Sequence, residues 1–329
     1  RYVWQRRVID MKIFIIGGAG YIGSHMVKIA HQAGHEVITL DNLSTGHKDA
    51  VLYGEFEFCD ILDAVKLNEL FVKHKPDAVM HFSAYSLVGE SVIDPYKYYY
   101  NNVSGTLSLL KAMIDNNCRK FIFSSSAAIF GNPEYTPIDE NHPKNPINPY
   151  GKSKLMVEEI LKDFESAYGL KYVSFRYFNA AGHDPDGELS ERHDPETHLL
   201  PIIMQTANGE RESVSIFGTD YDTNDGTCIR DYIHVNDLAN AHLKGIDYLN
   251  DINSESAAFN LGNGEGFSVK EVIQKVKDIT KKDFKVIKES RRDGDPSILV
   301  ASNKEAKKAL NLQLQFSELE DIINTLNKK

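Results

Sequence analysis

A tyrosine and a lysine four residues apart form the pair in this sequence best suited to moving a proton. Tyr150 and Lys154 stand in the run Tyr-Gly-Lys-Ser-Lys, and this spacing places both side chains on one face of a helix. A tyrosine, whose ordinary pKa is about 10, acts as a base near neutral pH only if its phenolate is stabilised. An ammonium about 4 Å away contributes about 4 kcal/mol at an effective dielectric constant of about 20, or about three pKa units. Because desolvation opposes this lowering of the tyrosine pKa, a second cation is needed beside the phenol.

A serine run lies upstream of this pair. Ser124-Ser125-Ser126 ends a predicted strand that begins at Lys120, and Ser126 could bond a substrate oxygen and share its proton with Tyr150. Ala127 and Ala128 follow, so no carboxylic acid stands beside the serine to protonate a leaving group. Taken alone, the serines also suit a turn that caps a strand, and Tyr150 with Lys154 also suits a solvated pair at a helix start.

A glycine-rich run near the start of the chain favours the chemical interpretation. The apolar strand Lys12 to Ile16 leads into Gly17–Gly23, and a helical pattern then runs from Tyr21 to Ala33. A second strand, Glu36 to Leu40, ends at Asp41, whose carboxylate can accept hydrogen bonds from a ribose. Strand, glycine turn, helix and acid in this order predict a dinucleotide site, and the acid favours NAD over NADP. A glycine-rich turn without a ligand is the alternative.

Composition restricts the class of protein. The chain has 329 residues and a formal net charge of −10, which argues against binding a phosphate backbone, so we predict no nucleic-acid partner. No apolar stretch approaches the ~20 residues that span a bilayer, so we predict no membrane partner. Three scattered cysteines predict reduced thiols in a cytoplasmic protein. The first ten residues are interpreted as a leader or an expression remnant outside the fold, or as a short extra segment.

The order of predicted elements indicates the fold class. Strand and helix patterns alternate up to about residue 180, which predicts an α/β fold with a doubly wound parallel sheet of the Rossmann type. Shorter elements follow, typical of a smaller α+β substrate-binding portion. We therefore predict a nucleotide-binding domain at 11–180, with return segments from about 227–262, and a second domain formed mainly by 181–329.

Other polar residues fall where a ligand would lie. Asp60 follows a predicted strand. Two positions are equally compatible with the sequence: near the adenine of the dinucleotide, or on the protein surface without a ligand. Arg291 and Arg292 suit a diphosphate, and a solvated charge cluster is the alternative. His183, His193 and His198 lie in a polar loop in which we see no matching acid pattern, so we predict no metal site.

These motifs together resemble the extended short-chain dehydrogenase/reductase family, and within it the enzymes that epimerise nucleotide sugars. The resemblance covers nearly all of residues 11–329. The segments that match the motifs of the family are Gly17 to His25, Asp41 to Ser44, Val88 to Ser91, Ser124 to Ala127, Pro149 to Lys154, Arg176 to Asn179, Asp225 to Thr227, Arg230 to Val235, Arg291 with Arg292, and Gly294 with Asp295.

The resemblance implies NAD-dependent interconversion of UDP-glucose and UDP-galactose by transient oxidation at the sugar C4 and hydride return to either face. The implied catalytic residues are Ser126, Tyr150 and Lys154. The implied NAD contacts are Gly17, Gly20, Tyr21, Ile22, Gly23, Asp41, Asn42, Ser44, Asp60, Ile61, Phe82, Ser86, Asn101, Tyr150, Lys154 and Phe178. The implied contacts to the UDP-hexose are Ser126, Asn179, His198, Leu199, Phe217, Arg230, Arg292 and Asp295.

The sequence departs from the family pattern at some positions and leaves alternatives open. Ser86 stands where some members have a lysine, which weakens one expected NAD contact, and His198 stands where some have asparagine. Leu299 occupies a position that influences whether an N-acetyl group fits, so a UDP-N-acetylhexosamine or UDP-uronate epimerase stays open. A 4,6-dehydratase or decarboxylase of the same fold and a non-catalytic NAD-binding regulator are further alternatives. The resemblance also implies a homodimer.

Overall fold

The computed structural model describes residues 10–292 and 295–327, so nearly all of the predicted leader and two residues of the arginine-rich loop lie outside the described residues. The strands of the described chain, in order, are β1 Lys12–Ile16, β2 Glu36–Asp41, β3 Glu55–Phe58, β4 Ala78–His81, β5 Lys120–Ser126, β6 Lys171–Tyr177, β7 Asn179–Ala181, β8 Ser213–Phe217, β9 Ile229–Arg230, β10 Tyr232–His234, β11 Ala257–Leu261, β12 Phe267–Ser268, β13 Lys285–Glu289 and β14 Ile298–Leu299.

Helices alternate with most of these strands. They are α1 Tyr21–Gln32, α2 Ala64–His74, α3 Val88–Ile93, α4 Pro95–Tyr98, α5 Thr106–Asp115, α6 Pro149–Tyr168, α7 Leu199–Ala207, α8 Val235–Asn250, α9 Val269–Thr280, α10 Lys304–Leu310 and α11 Leu319–Leu326. Single 3-10 turns cover Lys48–Ala50 and Ala127–Ile129.

Seven parallel strands form the main sheet, in the order β11-β6-β5-β4-β1-β2-β3. From β1 the chain adds β2 and β3 on one side and then β4, β5 and β6 on the other side. This change of side opens a crevice at the carboxyl ends of β1 and β4. The predicted doubly wound Rossmann sheet is therefore confirmed. The predicted catalytic residues and the nucleotide turn lie at or just beyond these strand ends.

Two apolar clusters cover the two faces of this sheet. Side chains of β1, β6, α1 and α8 fill one face, with Ile15, Phe175 and Leu238 fully buried. Side chains of β1, β5, α2 and α5 fill the other, with Phe14 and Phe121 fully buried. The chain returns to the sheet late, because β11 pairs with β6 after the excursion through β8, β9 and β10.

The smaller portion has its own strands and its own apolar cluster. β8 pairs with β13, and β9 lies between β12 and β14. Residues of α7, α9 and α11 pack together around Ile203, Val276 and Ile322, which are fully buried. Leu299 of β14 joins an apolar cluster with Phe178, just beyond β6, so this portion meets the main sheet at the carboxyl ends of its strands.

A π-helical stretch joins α4 to α5. α4 and α5 run into each other through Tyr99–Gly105, where the hydrogen bonds reach one residue further than in an α-helix. This change of register turns Asn102 inward, where it is 3% exposed. Hydrophobic periodicity does not reveal such a local shift in hydrogen bonding.

Candidate active site

The glycine-rich turn between β1 and α1 is packed so tightly that two of its glycines leave no room for a Cβ atom. Gly17 has a φ of 77°, and a Cβ there would lie 2.6 Å from the main-chain nitrogen of Ser83. A Cβ at Gly23 would lie 2.1 Å from the carbonyl oxygen of Gly17. These contacts bring α1 directly against the end of β1, and they explain the glycines without any ligand.

Gly20 differs, because the described part of the protein leaves room for a side chain there. A Cβ at Gly20 would meet only the carbonyl oxygen of Gly17 among the described residues, at an ordinary 3.4 Å, and the backbone is extended. Gly20 is the N-cap of α1; no described side chain caps that end, and the first turn contains no acidic residue. An open cradle at an uncapped, twelve-residue helix fits the pyrophosphate of NAD. Tyr21 and Ile22 continue the helix from this point.

Asp41 ends β2 beside this turn. Its carboxylate accepts hydrogen bonds from the main-chain nitrogens of Ala19, at 3.0 Å, and Leu43, at 2.8 Å. Burial raises the pKa of Asp41, and these two bonds oppose the rise. Each carboxylate oxygen retains a second lone pair for a ribose hydroxyl, so the residue fits the expected adenosine side of NAD.

Asp60 joins the same edge through Asn42. The Asn42 amide donates to Asp60 at 2.8 Å, and the Asn42 oxygen accepts from the main-chain nitrogen of Ser44 at 3.0 Å. The nearby Ile61 is buried and packs against Gly105 of the π-helical stretch. The structure thus brings together the residues predicted for the adenosine half of the cofactor.

Tyr150, Lys154 and Ser126 meet at the carboxyl end of β5. The Lys154 Nζ lies 5.9 Å from the centre of the Tyr150 ring, and the Ser126 side chain lies near enough to Tyr150 to influence its ionisation. Lys154 is 4% exposed and donates to the main-chain carbonyl of Ser124 at 2.7 Å. The Ser126 hydroxyl also accepts from the main-chain nitrogen of Ala128 at 3.1 Å. The two side chains of the pair therefore share one helix face, as the spacing predicts.

Burial dominates the ionisation of this pair. Desolvation raises the pKa of Tyr150 above its usual value, and the neighbouring Ser126 side chain opposes the rise. Desolvation also lowers the pKa of Lys154 to about 7. The ammonium alone thus does not make Tyr150 a base. The site needs a further positive charge beside the phenol, which oxidised NAD carries on its nicotinamide ring.

The start of α6 holds Tyr150 close to Ser126. Asn148 caps the helix by accepting from the main-chain nitrogen of Gly151 at 2.8 Å, and Pro149 occupies the first turn. A Cβ at Gly151 would lie 2.4 Å from the carbonyl oxygen of Ala128. Only glycine permits the helix to lie this near the turn that carries Ser126.

A buried network that the sequence analysis missed fixes α6 to the sheet. Glu158, four residues beyond Lys154, accepts from Arg176 through both carboxylate oxygens at 3.0 and 2.8 Å. The Ser125 hydroxyl donates to the same carboxylate at 2.6 Å. The i, i+4 spacing of Tyr150, Lys154 and Glu158 was the signal that could have revealed it.

The remaining residues predicted for NAD lie around β4 and β6. Phe82 follows β4, its main-chain nitrogen donating to Ile16 at 2.8 Å, and Ser86 is exposed on the loop beyond. Asn101 donates to Asn102 at 3.0 Å. Phe178 follows β6 and joins the apolar cluster that contains Ala127.

Asn102 is a positioning residue that the sequence analysis did not identify. Its amide donates to the carbonyl oxygen of Tyr85 at 3.0 Å and to the Ser153 hydroxyl at 3.1 Å. It also accepts from the main-chain nitrogen of Tyr85 at 3.0 Å. These bonds tie the loop after β4 to the helix that carries Tyr150.

Four of the residues predicted for the nucleotide sugar meet in pairs. Arg230 donates to Asp295 at 3.2 Å, and the Arg292 guanidinium lies 3.7 Å from the centre of the Phe217 ring. Arg230 lies in the strand β9, and Leu299 is its partner on β14. Because Leu299 shares an apolar cluster with Ala127, this strand pair connects Arg230 to the turn after Ser126.

The other residues predicted for the nucleotide sugar lie at β7 and α7. Asn179 begins β7, and its main-chain nitrogen donates to Asp231 at 3.0 Å. His198 immediately precedes α7, and Leu199 is the first residue of that helix.

The prediction that the loop histidines lack matching acids is wrong. His193 and His198 both meet Glu191, with their Nδ1 atoms 2.9 and 2.7 Å from its Oε1. Glu191 precedes both histidines in an irregular loop. Their contact therefore depends on the path of the loop, and no helical or strand periodicity predicts it.

The fold and the site define the class: a Rossmann enzyme of the short-chain dehydrogenase/reductase type, with a serine, tyrosine and lysine at the sheet edge that carries the nucleotide turn. Among the described residues, no helix is long and apolar enough to cross a membrane. Comparison with known proteins narrows this class.

The NAD dependent epimerase/dehydratase family matches residues 13–262. The UDP-glucose 4-epimerase of Halalkalibacterium halodurans is 49% identical over 95% of this chain and 93% of its own length. The crystal structure of UDP-glucose 4-epimerase from Brucella ovis with NAD has a TM-score of 0.93 and 48% identity, covering 96% of this chain and 97% of that one. The UDP-Glc/GlcNAc 4-epimerase of Campylobacter jejuni has a TM-score of 0.85 and 43% identity, covering 96% and 98%.

This chain belongs to the NAD dependent epimerase/dehydratase family. The family match covers the nucleotide turn, the residues Ser126, Tyr150 and Lys154 that are predicted to be catalytic, and the return strand β11.

Proposed function

We propose that the protein is a UDP-glucose 4-epimerase, an isomerase that interconverts UDP-glucose and UDP-galactose with NAD as its cofactor. The observation that carries the proposal is the meeting of Ser126, Tyr150 and Lys154 at the same sheet edge as the open cradle of Gly20. Relatives with this name at up to 49% identity over nearly the whole chain support it.

The chain's own residues account for the proton transfer. Tyr150 takes the proton of the sugar C4 hydroxyl, and Ser126, beside Tyr150, steadies the same oxygen. NAD, when bound, supplies the hydride acceptor and the positive charge that lowers the phenol pKa. Lys154, held by the carbonyl of Ser124, keeps its amino group near the phenol. Tyr150 returns the proton after the 4-keto sugar has turned about its diphosphate linkage.

The nucleotide of the substrate must stay fixed while the hexose turns. Arg230, held by Asp295, and Arg292, on the ring of Phe217, offer guanidinium groups for the diphosphate and an aromatic surface for the base. Asn179, His198 and Leu199 complete the proposed UDP-hexose contacts from β7 and the start of α7.

Incubation with a nucleotide sugar tests the proposal directly. The purified protein is given UDP-galactose, UDP-N-acetylgalactosamine or UDP-galacturonate without added NAD, and the products are separated. We expect UDP-glucose from UDP-galactose. Bound NAD without conversion of any of the three sugars would overturn the proposal in favour of a regulatory NAD-binding protein.

An epimerase that also accepts N-acetylated sugars is the second candidate. The relative from Campylobacter jejuni, whose name covers both sugar types, favours it. Leu299 shares an apolar cluster with Phe178 and Ala127, so the size of its side chain bears on the space beside the turn after Ser126. The UDP-N-acetylgalactosamine arm of the assay decides between the two. Ala127 and Ala128 argue against a dehydratase, because neither of the two positions directly after Ser126 holds an acid.

A division of labour between two domains is part of the proposal. Residues 11–180, with return segments from about 227–262, bind NAD, and residues 181–329 mainly bind the UDP-sugar. The separate apolar cluster around Ile203, Val276 and Ile322 supports this division.

A homodimer in the cytoplasm completes the proposal. Apolar side chains stand exposed along α3 to α6, among them Ile93 at 86%, Tyr96 at 73% and Met156 at 46%. Such a row of surface apolar groups is typical of an interface between helices. Sedimentation analysis tests it: the wild type should behave as a dimer and Met156→Glu as a monomer. The three cysteines are buried and free, which favours a reducing compartment.

A further inference from the structure

The polar loop before α7 brings together four side chains of the kind that bind transition metals. Glu191, His193, Glu196 and His198 each offer one ligating atom, and these atoms all lie within 4.8 Å of one another. Their spacing is Glu-x-His-x-x-Glu-x-His. Two imidazoles and two carboxylates form a ligand set that suits Zn²⁺.

The distances between these atoms match those between ligands of one ion. Ligands about 2.0–2.1 Å from a tetrahedral Zn²⁺ lie about 3.3 Å apart. From Glu191 to the Nδ1 atoms of His193 and His198 the distances are 2.9 and 2.7 Å. From Glu196 the distances are 3.8 Å between Oε2 and the Nδ1 of His193, and 3.2 Å between Oε1 and the Nδ1 of His198. Small rotations of the side chains suffice to receive the ion.

An unsatisfied buried oxygen points independently to a ligand. The Glu191 side chain is 1% exposed, and its Oε2 has no hydrogen-bond partner among the described residues. A buried carboxylate oxygen left without a partner destabilises the fold, and more so when it is charged. The neighbouring Glu196 side chain is 4% exposed, and its Oε1 accepts from the main-chain nitrogens of Thr197 and His198 at 2.8 Å each. These bonds fix the carboxylate in place, as hydrogen bonds to metal-ligating groups commonly do.

The carboxylates of this cluster lack a lysine or arginine partner, unlike the acidic cluster around Lys28. Lys28 already lies among Asp184, Asp186 and Glu188, at 2.8, 2.9 and 2.6 Å. Glu191 and Glu196, by contrast, form ion pairs in the described chain only with the two histidines. Two carboxylates with two neutral imidazoles carry a charge of −2, which one divalent ion neutralises.

We propose that Glu191, His193, Glu196 and His198 form a structural Zn²⁺ site that cross-links the loop to the start of α7. The loop also reaches the nucleotide edge, since Arg192 forms a bidentate pair with Asp49 at 2.8 and 2.9 Å. The Tyr21 ring lies edge-on to His193, with the ring centres 6.0 Å apart. The site thus stabilises the loop beside the NAD turn and adjoins the proposed UDP-hexose contact at His198, while the proton transfer stays with Tyr150 and Ser126.

Metal analysis tests the proposal without any measurement of turnover, so its failure leaves the proposed epimerase activity untouched. The untagged protein is purified without metal affinity, analysed by mass spectrometry, dialysed against a chelator and titrated with zinc chloride by calorimetry. We expect one equivalent of zinc per chain. Glu191→Gln and His193→Gln should each weaken zinc binding by about a hundredfold or more, because each removes a ligand.

His31→Gln is the matched control, since His31 is an exposed histidine outside the cluster, and it should bind zinc as the wild type does. Absence of stoichiometric zinc binding by the wild type would overturn the proposal. So would wild-type affinity in both cluster variants. In either case the four side chains form an ion-pair network in which protons on the histidines balance the acids.

Discussion

Glu158 and Arg176 form a two-pronged ion pair in which each side chain is 4% exposed. Glu158 lies on the helix that carries Tyr150 and Lys154, and Arg176 lies on the neighbouring strand β6. Ser125, next to Ser126, donates to the same carboxylate. The pair therefore sets the position of the helix relative to the serine, and the distance between proton donor and acceptor depends on it.

Glu158→Gln should lower the free energy of unfolding by about 3 kcal/mol, because it leaves a buried guanidinium without its counter-charge. Denaturant titration measures this. The neighbouring Glu159→Gln is the control, since the Glu159 side chain is 57% exposed and pairs in the described chain with Lys162; its loss should stay within about 0.5 kcal/mol. The double variant Glu158→Leu with Arg176→Met should be more stable than Glu158→Gln. Equal stability of wild type and Glu158→Gln would contradict the role given to this pair.

Tyr150→Phe should reduce epimerase turnover by about a thousandfold, because it removes the group that carries the proton. The NAD content of the purified variant should equal that of the wild type, since the glycine turn and Asp41 are unchanged. Tyr168→Phe alters an exposed tyrosine at the other end of the same helix and should leave turnover unchanged. Turnover above about a tenth of the wild-type value in Tyr150→Phe would assign the proton to another group.

Gly20→Ala should separate cofactor binding from folding. Among the described residues, the added methyl meets only the carbonyl of Gly17, at 3.4 Å, so the nucleotide-free protein should lose about 1 kcal/mol or less. The same methyl occupies the space at the end of α1, so NAD should bind about tenfold or more weakly. Calorimetric titration and thermal unfolding measure the two effects. Unchanged NAD affinity would show that the pyrophosphate does not lie there.

Gly23→Ala is the contrasting variant at the same turn. Its methyl would lie 2.1 Å from the carbonyl oxygen of Gly17, so the backbone of the turn must shift. We expect loss of stability together with loss of NAD binding. A stable Gly23→Ala protein with intact affinity for NAD would contradict the packing described for this turn.

The buried Lys154 makes stability depend on pH. Its pKa is lowered from 10.5 to about 7, so between these values the unfolded chain binds a proton that the folded chain does not. Stability contributed by this position therefore rises with pH across that window, by up to about 1.4 kcal/mol per pH unit. The difference in unfolding free energy between nucleotide-free wild type and Lys154→Met should change in favour of the wild type from about pH 7 to 10. A difference that is flat with pH would show that Lys154 stays protonated in the fold.

Much of the fold was accessible from the sequence because its signals are local. The glycine turn, the acid at Asp41 and the spacing of Tyr150 and Lys154 each lie within one short stretch, and the structure places them as expected. The strand β9, which carries Arg230, was not predicted because it has two residues and exists only through its partners β12 and β14. No local pattern encodes a strand of that length.

The contacts that hold the site together were harder to predict because they join distant parts of the chain. Glu158 on helix α6 meets Arg176 on strand β6, and Asn102, which lies in the π-helical stretch, meets the loop at Tyr85. The acids and histidines between Glu191 and His198 alternate in the sequence, but a loop has no fixed period from which their convergence follows.

The late return of the chain to the main sheet has a consequence for synthesis on the ribosome. Helix α8 and strand β11 come from residues 235–261, yet they cover one face of the sheet and the outer edge of β6. Until those residues emerge, the nascent first half presents an unpaired strand edge and an apolar face that only α1 covers, both of which favour aggregation. A fragment cut at residue 180 would carry that exposure permanently, so the complete nucleotide turn alone does not make an independently folding module.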